Sequence, residues 1–346
     1  MKANWTYLER ILIQEDSVRK RPLVIWLLSL TATMALAAAC RQRSATDAAR
    51  EEWYLPTDDK AAQLYVYELG QGDPVVVLHG GFGAEHSYLL DAVRGLEGNF
   101  HFIFYDQRGS LRSPCKVEEI SIEKHVQDLE TLRQALGLER MKVFAHSAGT
   151  LLAMHYLQNY PQRVSHLVLA GAVIPKNGAR YFTAEELKLG EAAKGEFKRF
   201  IERPEVKAEV DKAGLNQSNL TAKQQTERWR IQFAAANLYH VERWREMKGG
   251  RIFYNAAAGQ AAAKTIPQEY DFTSVLAGHP YPITVINGSY DLIVDLKPGG
   301  LIWRRLQETD LKNLHLVIID KAAHNLWVDE PDIFRKELKK ALGRTS

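Results

Sequence analysis

The stretch Phe144-Ala145-His146-Ser147-Ala148-Gly149 ends a run of apolar residues and directly precedes an apolar helical pattern. A serine between small residues at a strand-to-helix turn is the sequence form of a nucleophile elbow, usually written G-x-S-x-G. Here Ala145 takes the place of the first glycine, where only a small side chain is required. The stretch therefore predicts a nucleophilic serine, Ser147, at the carboxyl end of a strand.

Short apolar runs and amphipathic helical patterns alternate along most of the chain. Residues 63–68 alternate apolar and polar side chains, whereas the later runs are continuously apolar and end in turn residues. Continuous hydrophobicity indicates burial on both faces, and strand–helix alternation predicts a doubly wound, mostly parallel α/β sheet. The continuous runs are 74–81, 101–109, 142–149, 164–171, 282–288 and 314–320, and the helical patterns are 121–138, 151–160 and 331–342.

The alternation stops between Pro175 and Tyr270. This stretch has helical patterns at 184–200 and 221–239 and no convincing strand, and its 17 basic and 12 acidic residues give a net charge of +5. It predicts a helical cap, 175–270, inserted into one catalytic domain formed by 55–174 and 271–346. Residues 1–40 are predicted to be a leader. Residues 41–54, rich in alanine and charge, are predicted to be a tether, with folded structure beginning near Leu55.

A serine hydroxyl becomes a good nucleophile when a histidine accepts its proton, and a carboxylate must orient that histidine. Asp291 follows a late apolar run, and His324 follows the last one. The order serine, acid, histidine at successive strand ends is one of the chain orders in which such triads occur. We predict the triad Ser147, Asp291 and His324. Asp295 is an alternative acid, and His146 is predicted to be structural because it cannot easily fold back onto its neighbour.

Glycines follow an early predicted strand in His79-Gly80-Gly81-Phe82-Gly83. Glycine lets the backbone approach a reacting group closely, and backbone N–H groups stabilise the negative oxygen of a tetrahedral intermediate. We predict that the N–H groups of Gly81 and Ala148 form this oxyanion hole. The sequence has no H-E-x-x-H motif, no cysteine cluster and no phosphate-binding glycine loop, so it implies neither a metal nor a cofactor.

Charge and cysteine content exclude several classes of protein. The 45 Lys and Arg residues against 42 Asp and Glu residues give +3 over 346 residues, which is too small an excess to indicate a nucleic-acid partner. The two cysteines allow at most one disulfide, so the fold does not depend on a disulfide framework.

Residues 22–40 carry no charged side chain and follow the basic triplet Arg19-Lys20-Arg21. A basic segment, an apolar segment and the small residues Ala37-Ala38-Ala39 are typical of an export signal. Cys40 makes the end similar to a bacterial lipobox, although Leu36 lies four residues before the cysteine instead of three. Three outcomes stay open: cleavage, lipidation of Cys40, or retention as a membrane anchor. Each predicts an exported protein of the bacterial periplasm or cell envelope, with membrane association through the segment or its lipid.

Over residues 64–342 the chain resembles the α/β-hydrolase superfamily, and within it the proline iminopeptidase branch of serine aminopeptidases. The branch resemblance rests on His79-Gly80-Gly81 with a further glycine two residues later, and on Asp106-Gln107-Arg108-Gly109-Ser110. In the family the second loop braces the pocket floor, which implies structural roles for Asp106 and Arg108. Two features depart from the branch: Phe82 replaces a proline, and Ala-His-Ser-Ala-Gly at the elbow is closer to general esterases.

The resemblance implies an enzyme that releases N-terminal proline or a similar residue from short peptides through an acyl-enzyme. A carboxylic ester or other acyl hydrolase with the same triad is the alternative, and a non-catalytic binding protein is a third hypothesis. An aminopeptidase must bind a free α-ammonium group, which calls for carboxylates in or under the cap. The candidate glutamates of the cap also fit a solvated helix face, and a cap of +5 disfavours cation recognition. The candidate substrate-binding residues are Phe82, Trp229, Glu227, Glu242 and Glu246.

Overall fold

The computed structural model describes residues 50–248, 254–293 and 301–343. Its ten strands are β1 (Arg50–Pro56), β2 (Gln63–Gly70), β3 (Asp73–Leu78), β4 (Phe100–Tyr105), β5 (Met141–His146), β6 (Val164–Ala170), β7 (Lys176–Asn177), β8 (Tyr270–Asp271), β9 (Ile283–Gly288) and β10 (Leu314–Ile319). Eight of them form one sheet in the order β1-β2-β4-β3-β5-β6-β9-β10, whereas β7 and β8 pair with each other. The predicted α/β architecture with a mostly parallel sheet is confirmed.

The central strands are parallel and buried on both faces. In the eight-stranded sheet β4, β3, β5, β6, β9 and β10 pair in parallel, and β2 is antiparallel to both of its neighbours, β1 and β4. In β3, Val75 belongs to one apolar core and Val76 to the other, because neighbouring side chains on a strand point to opposite faces. Each face needs a covering layer, which explains why the predicted strands are continuously apolar.

Helices cover the sheet and fill the insertion. They are α1 (Ile122–Ala135), α2 (Ala148–Asn159), α3 (Ala184–Ile201), α4 (Pro204–Lys212), α5 (Ala222–Asn237), α6 (Ala256–Thr265), α7 (Thr273–Ala277), α8 (Leu301–Thr309), α9 (Leu326–Asp329) and α10 (Pro331–Leu342). Leu129 of α1 and Leu152 of α2 lie in the same core as Val76, whereas Phe334 of α10 packs in the core of Val75. Of the helices in these described ranges, none is long and apolar enough to cross a membrane.

The first strand corrects one expectation. The tether predicted over 41–54 is wrong for residues 50–54, because β1 begins at Arg50 and pairs antiparallel with β2, from Arg50 opposite Leu69 to Pro56 opposite Gln63. The Trp53 indole N–H also donates a hydrogen bond to Glu68 at 2.6 Å. β1 lies at the sheet edge and most of its side chains are exposed, so no apolar run announces it. The leader with Cys40 and the rest of the tether lie outside the described residues.

Four helices, α3 to α6, lie between β7 and β8 in the predicted insertion. The ends of this segment meet in a short antiparallel ribbon, Lys176 opposite Asp271, although the sequence analysis expected no strand there. α3 and α5 both start with a capping box, in which Thr183 and Thr221 exchange side-chain and backbone hydrogen bonds with the residue three positions later. These caps explain the sharp starts of the two helical patterns.

A buried ion network braces the loop after β4. Arg108 is 1% exposed and its guanidinium donates two hydrogen bonds to Asp128 of α1, at 2.6 and 2.7 Å, and two to Asp59, at 2.9 and 3.4 Å. Burial lowers the pKa of Arg108, but these carboxylate partners outweigh it and hold the pKa above its ordinary value. Asp106 accepts instead from His86 and Arg112, so both residues have the structural contacts that the resemblance implies.

We expect Asp128→Ala to destabilise the domain by about 3 kcal/mol, because it leaves a buried guanidinium without its bidentate partner. The measurement is the free energy of unfolding from urea denaturation. Glu191→Ala is the control: it removes an exposed ion pair with Lys194 and is expected to cost less than about 0.5 kcal/mol. Equal effects of the two substitutions would contradict the structural role of the Arg108 network.

Candidate active site

Four loops meet at one edge of the sheet, where the parallel strands end. Gly80 and Gly81 follow β3, Ser147 follows β5, Asp291 follows β9 and His324 follows β10. In an open α/β sheet, ligands bind beyond the carboxyl ends of the strands. The sheet order therefore gathers residues that are far apart in the chain, from 80 to 324.

The Ser147 backbone has an unusual conformation. Its φ is 53° and its ψ is −126°, in a region that non-glycine residues seldom occupy. The backbone is held there because its N–H donates to the Ala170 carbonyl at 3.1 Å and its carbonyl accepts from the Thr150 N–H at 2.8 Å. A sharp strand-to-helix turn of this kind presents a serine side chain at the top of the sheet, in front of the α2 N-terminus.

Two glycines make room for this turn. A Cβ added at Gly80 would lie 2.6 Å from the Cβ of Ser147, and one added at Gly149 would lie 2.6 Å from the Leu78 carbonyl oxygen. Neither distance is tolerable for a real side chain, so both positions require glycine. The glycine loop after β3 is thus packed directly against the serine turn.

Asp291 and His324 are hydrogen-bonded and buried. The Nδ1 of His324 lies 2.8 Å from Oδ2 of Asp291, and the histidine and the aspartate are 4% and 2% exposed. The other carboxylate oxygen accepts the Ile293 N–H at 3.1 Å, which fixes the carboxylate plane. The two loops approach closely at Gly288, where an added Cβ would lie 2.2 Å from the Ala322 carbonyl oxygen. Asp295, the alternative acid, lies outside the described residues.

His146 connects three parts of the site. The Gly80 N–H donates to the Tyr88 hydroxyl at 2.7 Å, and that hydroxyl donates to Nδ1 of His146 at 2.8 Å. On the other side of the ring, Nε2 of His146 donates to the His324 carbonyl at 3.1 Å. The rings of His146 and His324 pack with centroids 4.6 Å apart. Burial holds the pKa of His146 well below its usual range, so the ring is neutral and serves as a fixed bridge.

Two backbone N–H groups remain available beside the serine. Gly81, with φ of 67°, follows the glycine that touches Ser147, and Ala148 is the first residue of α2. Among residues 50–248, 254–293 and 301–343, the N–H groups of Gly81 and Ala148 donate to no protein acceptor. The geometry thus leaves free donors where an oxyanion hole was predicted.

Two residues whose contacts the sequence did not predict, Asn255 and Gln107, hold the glycine loop in place. Asn255, just before α6, donates its backbone N–H to the Gly83 carbonyl and its side-chain amide to the Gly109 carbonyl, both at 2.8 Å. The Gln107 side chain donates to the His79 carbonyl at 2.9 Å. Each contact joins segments far apart in sequence, so no local pattern signalled it.

The predicted substrate-binding residues lie in different surroundings. Phe82 is buried and stacks on His125, with ring centroids 5.1 Å apart. Trp229 stacks on Phe233, one helical turn further along α5. Glu227 is half-buried, and Glu242 and Glu246 are exposed. Glu246 forms an ion pair with Arg243 at 2.6 Å, and Glu242 lies 3.1 Å from His240. Glu227 has no ion pair among the described residues.

One cluster of side chains has the composition of a metal site. The ligand atoms of Glu85, His86 and Asp106 lie within 4.8 Å of one another and are buried. The Arg112 guanidinium bonds both carboxylates, at 2.9 and 3.2 Å, and His86 bonds Asp106 at 2.7 Å. The positive charge that the carboxylates need is therefore supplied by Arg112.

Comparison with known proteins assigns the family. The profile of the alpha/beta hydrolase fold matches residues 73–331, and the chain belongs to this family. It is 26% identical over 276 residues to a proline iminopeptidase of Saccharolobus solfataricus, covering 78% of this chain and 84% of that protein. A proline iminopeptidase of Xylella fastidiosa is 36% identical over 119 residues, but the match spans only 37% of that enzyme's length and 33% of this chain.

Solved structures show the same fold. An esterase from Exiguobacterium antarcticum superposes with a TM-score of 0.58 at 18% identity, covering 85% of this chain and all of that one. Proline iminopeptidases and esterases are thus both among the proteins similar to this chain, and at this identity the structural likeness supports the fold alone.

We expect Gly80→Ala to slow the reaction of Ser147 with a fluorophosphonate, a reagent that phosphonylates activated serines, by about a hundredfold. The added methyl has no room beside the serine, and displacement of reacting groups by about 1 Å costs on the order of a hundredfold in rate. The labelling rate is measured with circular dichroism as the folding check. Gly98→Ala, where an added Cβ has open space, is the control and should label at the wild-type rate. Rapid labelling of Gly80→Ala would contradict the close contact.

Proposed function

We propose that this α/β hydrolase cleaves acyl compounds through an acyl-enzyme on Ser147. The observation that carries the proposal is the buried Asp291–His324 hydrogen bond at the same sheet edge as the strained Ser147 turn. Under the proposal, Ser147 Oγ attacks the substrate carbonyl carbon, and Nε2 of His324 takes its proton. Asp291 holds the tautomer with the proton on Nδ1 and stabilises the imidazolium that forms.

The N–H groups of Gly81 and Ala148 stabilise the oxyanion of the tetrahedral intermediate in this proposal, with the positive end of the α2 dipole behind them. His324 then donates its proton to the leaving amine or alcohol, which leaves the acyl group on Ser147. A water molecule attacks the ester carbonyl while His324 accepts a proton from it. When the second tetrahedral intermediate collapses, the acyl–Oγ bond breaks, His324 returns this proton to Ser147 Oγ, and the carboxylic acid product leaves.

For the substrate we propose short peptides, from which the enzyme releases an N-terminal proline or a similar residue. The support is the sequence similarity to a proline iminopeptidase across 78% of the chain, together with the Asp106–Ser110 loop of that branch. Such a substrate needs a carboxylate for its α-ammonium group. Glu227, the glutamate of the three without an ion pair among the described residues, is the strongest of the predicted candidates for that contact.

Ester hydrolysis is the second candidate, and three observations favour it. Glu246 is neutralised by Arg243, so it has no free charge for an ammonium group, and the predicted cap carries +5. The elbow sequence Ala-His-Ser-Ala-Gly is also closer to that of general esterases. The same catalytic groups serve either substrate, because only the leaving group differs.

Peptide and ester substrates can be separated by direct assay. We expect the purified protein to hydrolyse proline arylamide faster than other aminoacyl arylamides and short-chain aryl esters. Ser147→Ala should reduce turnover by at least about a thousandfold, because the acyl-enzyme cannot form. Glu227→Gln should raise KM for the arylamide and leave ester hydrolysis unchanged.

The results of this assay separate the parts of the proposal. Ester turnover without arylamide cleavage would contradict the peptidase assignment and support the second candidate. Wild-type rates in Ser147→Ala would contradict the catalytic mechanism itself.

We also propose that the protein is exported and that Cys40 carries a lipid. The support is the charge-free segment 22–40 after three basic residues, which ends in small residues before the cysteine.

Lipidation is tested by expressing the full chain in a bacterial host with a radioactive fatty acid. We expect label on the wild-type protein and none on Cys40→Ser, because the thiol is the only acceptor in the proposal. Absence of label from the wild type, or equal label on Cys40→Ser, would contradict lipidation. Recovery of the protein in the cytosolic fraction would contradict export.

A further inference from the structure

A buried carboxylate lies five residues after His324. Asp329 is the last residue of α9 and is 3% exposed. Its carboxylate accepts three backbone N–H groups, each at 2.9 Å: Oδ2 accepts from Tyr239 and Ala323, and Oδ1 accepts from His240. Two of these donors, Tyr239 and His240, lie about 90 residues before Asp329, so the carboxylate does not act as a simple helix cap.

The three donors come from two different parts of the protein. Tyr239 and His240 follow α5 in the predicted cap, whereas Ala323 directly precedes His324. Oδ2 alone therefore bridges the cap segment and the loop that carries His324. A backbone bond beside it, from the Asn325 N–H to the Asn237 carbonyl at 2.9 Å, joins the same two segments.

No side-chain cation within 4 Å pairs with this carboxylate among the described residues. Arg243 bonds the backbone carbonyl of Asp329, and Arg203 bonds the carbonyls of Leu238 and Tyr239. Burial raises the pKa of Asp329 above its ordinary value, and the N–H donors partly offset that rise. A buried charge held only by backbone donors is costly unless those donors stay in place, so the bridge depends on the exact arrangement of both segments.

We propose that Asp329 is a positioning residue that couples the seating of the cap segment Tyr239–His240 to the placement of His324. The inference deepens the proposed function, since it rests on His324 being the base. When the cap segment is seated, Oδ2 holds the Ala323 N–H and the loop is fixed. When it is displaced, the carboxylate loses two of its three donors, and the loop loses a firm anchor directly before His324.

The first test compares Asp329→Asn with Glu330→Gln, an adjacent control that makes the same chemical change on a half-buried side chain. An amide group cannot accept from all three donors, because its NH2 would face an N–H. We measure the rate at which a small fluorophosphonate labels Ser147, which reports the base without depending on peptide or ester preference. Asp329→Asn should label on the order of tenfold to a hundredfold more slowly, and Glu330→Gln at the wild-type rate.

The second test separates coupling from a purely structural role. His240→Pro removes the N–H that Oδ1 accepts, at a residue whose φ of −84° is close to the range of proline, while His240→Ala keeps that N–H and removes the imidazole. Neither substitution touches His324 or Ala323. Coupling predicts that His240→Pro slows Ser147 labelling several-fold in protein that circular dichroism shows to be folded, and that His240→Ala does not.

The outcomes are distinguishable from failure of the proposed function. If the wild-type enzyme is not labelled, the serine mechanism is contradicted. If the wild type is labelled and His240→Pro reacts at its rate, the coupling is contradicted whether or not Asp329→Asn is slowed, and Asp329 is only structural. Should Asp329→Asn fail to fold, the comparison of His240→Pro with His240→Ala decides the question alone.

Discussion

The turn at Ser147 depends on the absence of side chains around it. Its backbone lies in a conformation that costs on the order of 1–3 kcal/mol for a non-glycine residue, so the surrounding contacts must hold it there. Gly80 and Gly149 permit those contacts, because the chain after β3 comes close enough to exclude a Cβ at either position. The same close contact that holds the Ser147 backbone in this conformation also fixes the position of the glycine loop and of its free N–H group at Gly81. One steric constraint therefore determines both the serine and its neighbouring donors.

A second set of contacts extends from this turn to the rest of the site. His146 and Tyr88 connect the glycine loop to the backbone of His324, and Asn255 ties the same loop to the insertion. Asp329 joins the segment after α5 to the loop that carries His324. Apart from the hydrogen bond between the Tyr88 hydroxyl and His146, these contacts are hydrogen bonds to backbone groups, and they set positions without contributing side chains to the chemistry. Rigidity of the loops thus comes from buried polar bridges as well as from the apolar cores.

Much of this arrangement was predictable, because its signals are local. Parallel strands buried on both faces are continuously apolar, and residues at their ends are found by following each run to its turn; Ser147, Asp291 and His324 were placed in this way. The edge strand β1 gave no such signal, since most of its side chains face solvent. Tyr88 and Asp329 act on segments 58 and 90 residues away, and a single sequence carries no mark of such distant pairs.

The position of β1 has a practical consequence. This edge strand is antiparallel to β2, and β2 is antiparallel to β4. Because β4 is parallel to β3, β1 runs in the same direction as β3. The chain therefore enters the sheet at Arg50, at the amino ends of the strands, whereas the candidate catalytic residues follow the carboxyl ends. A domain immobilised on a solid support through Arg50 would be held by the side opposite its catalytic edge, so its candidate active site would face the solution.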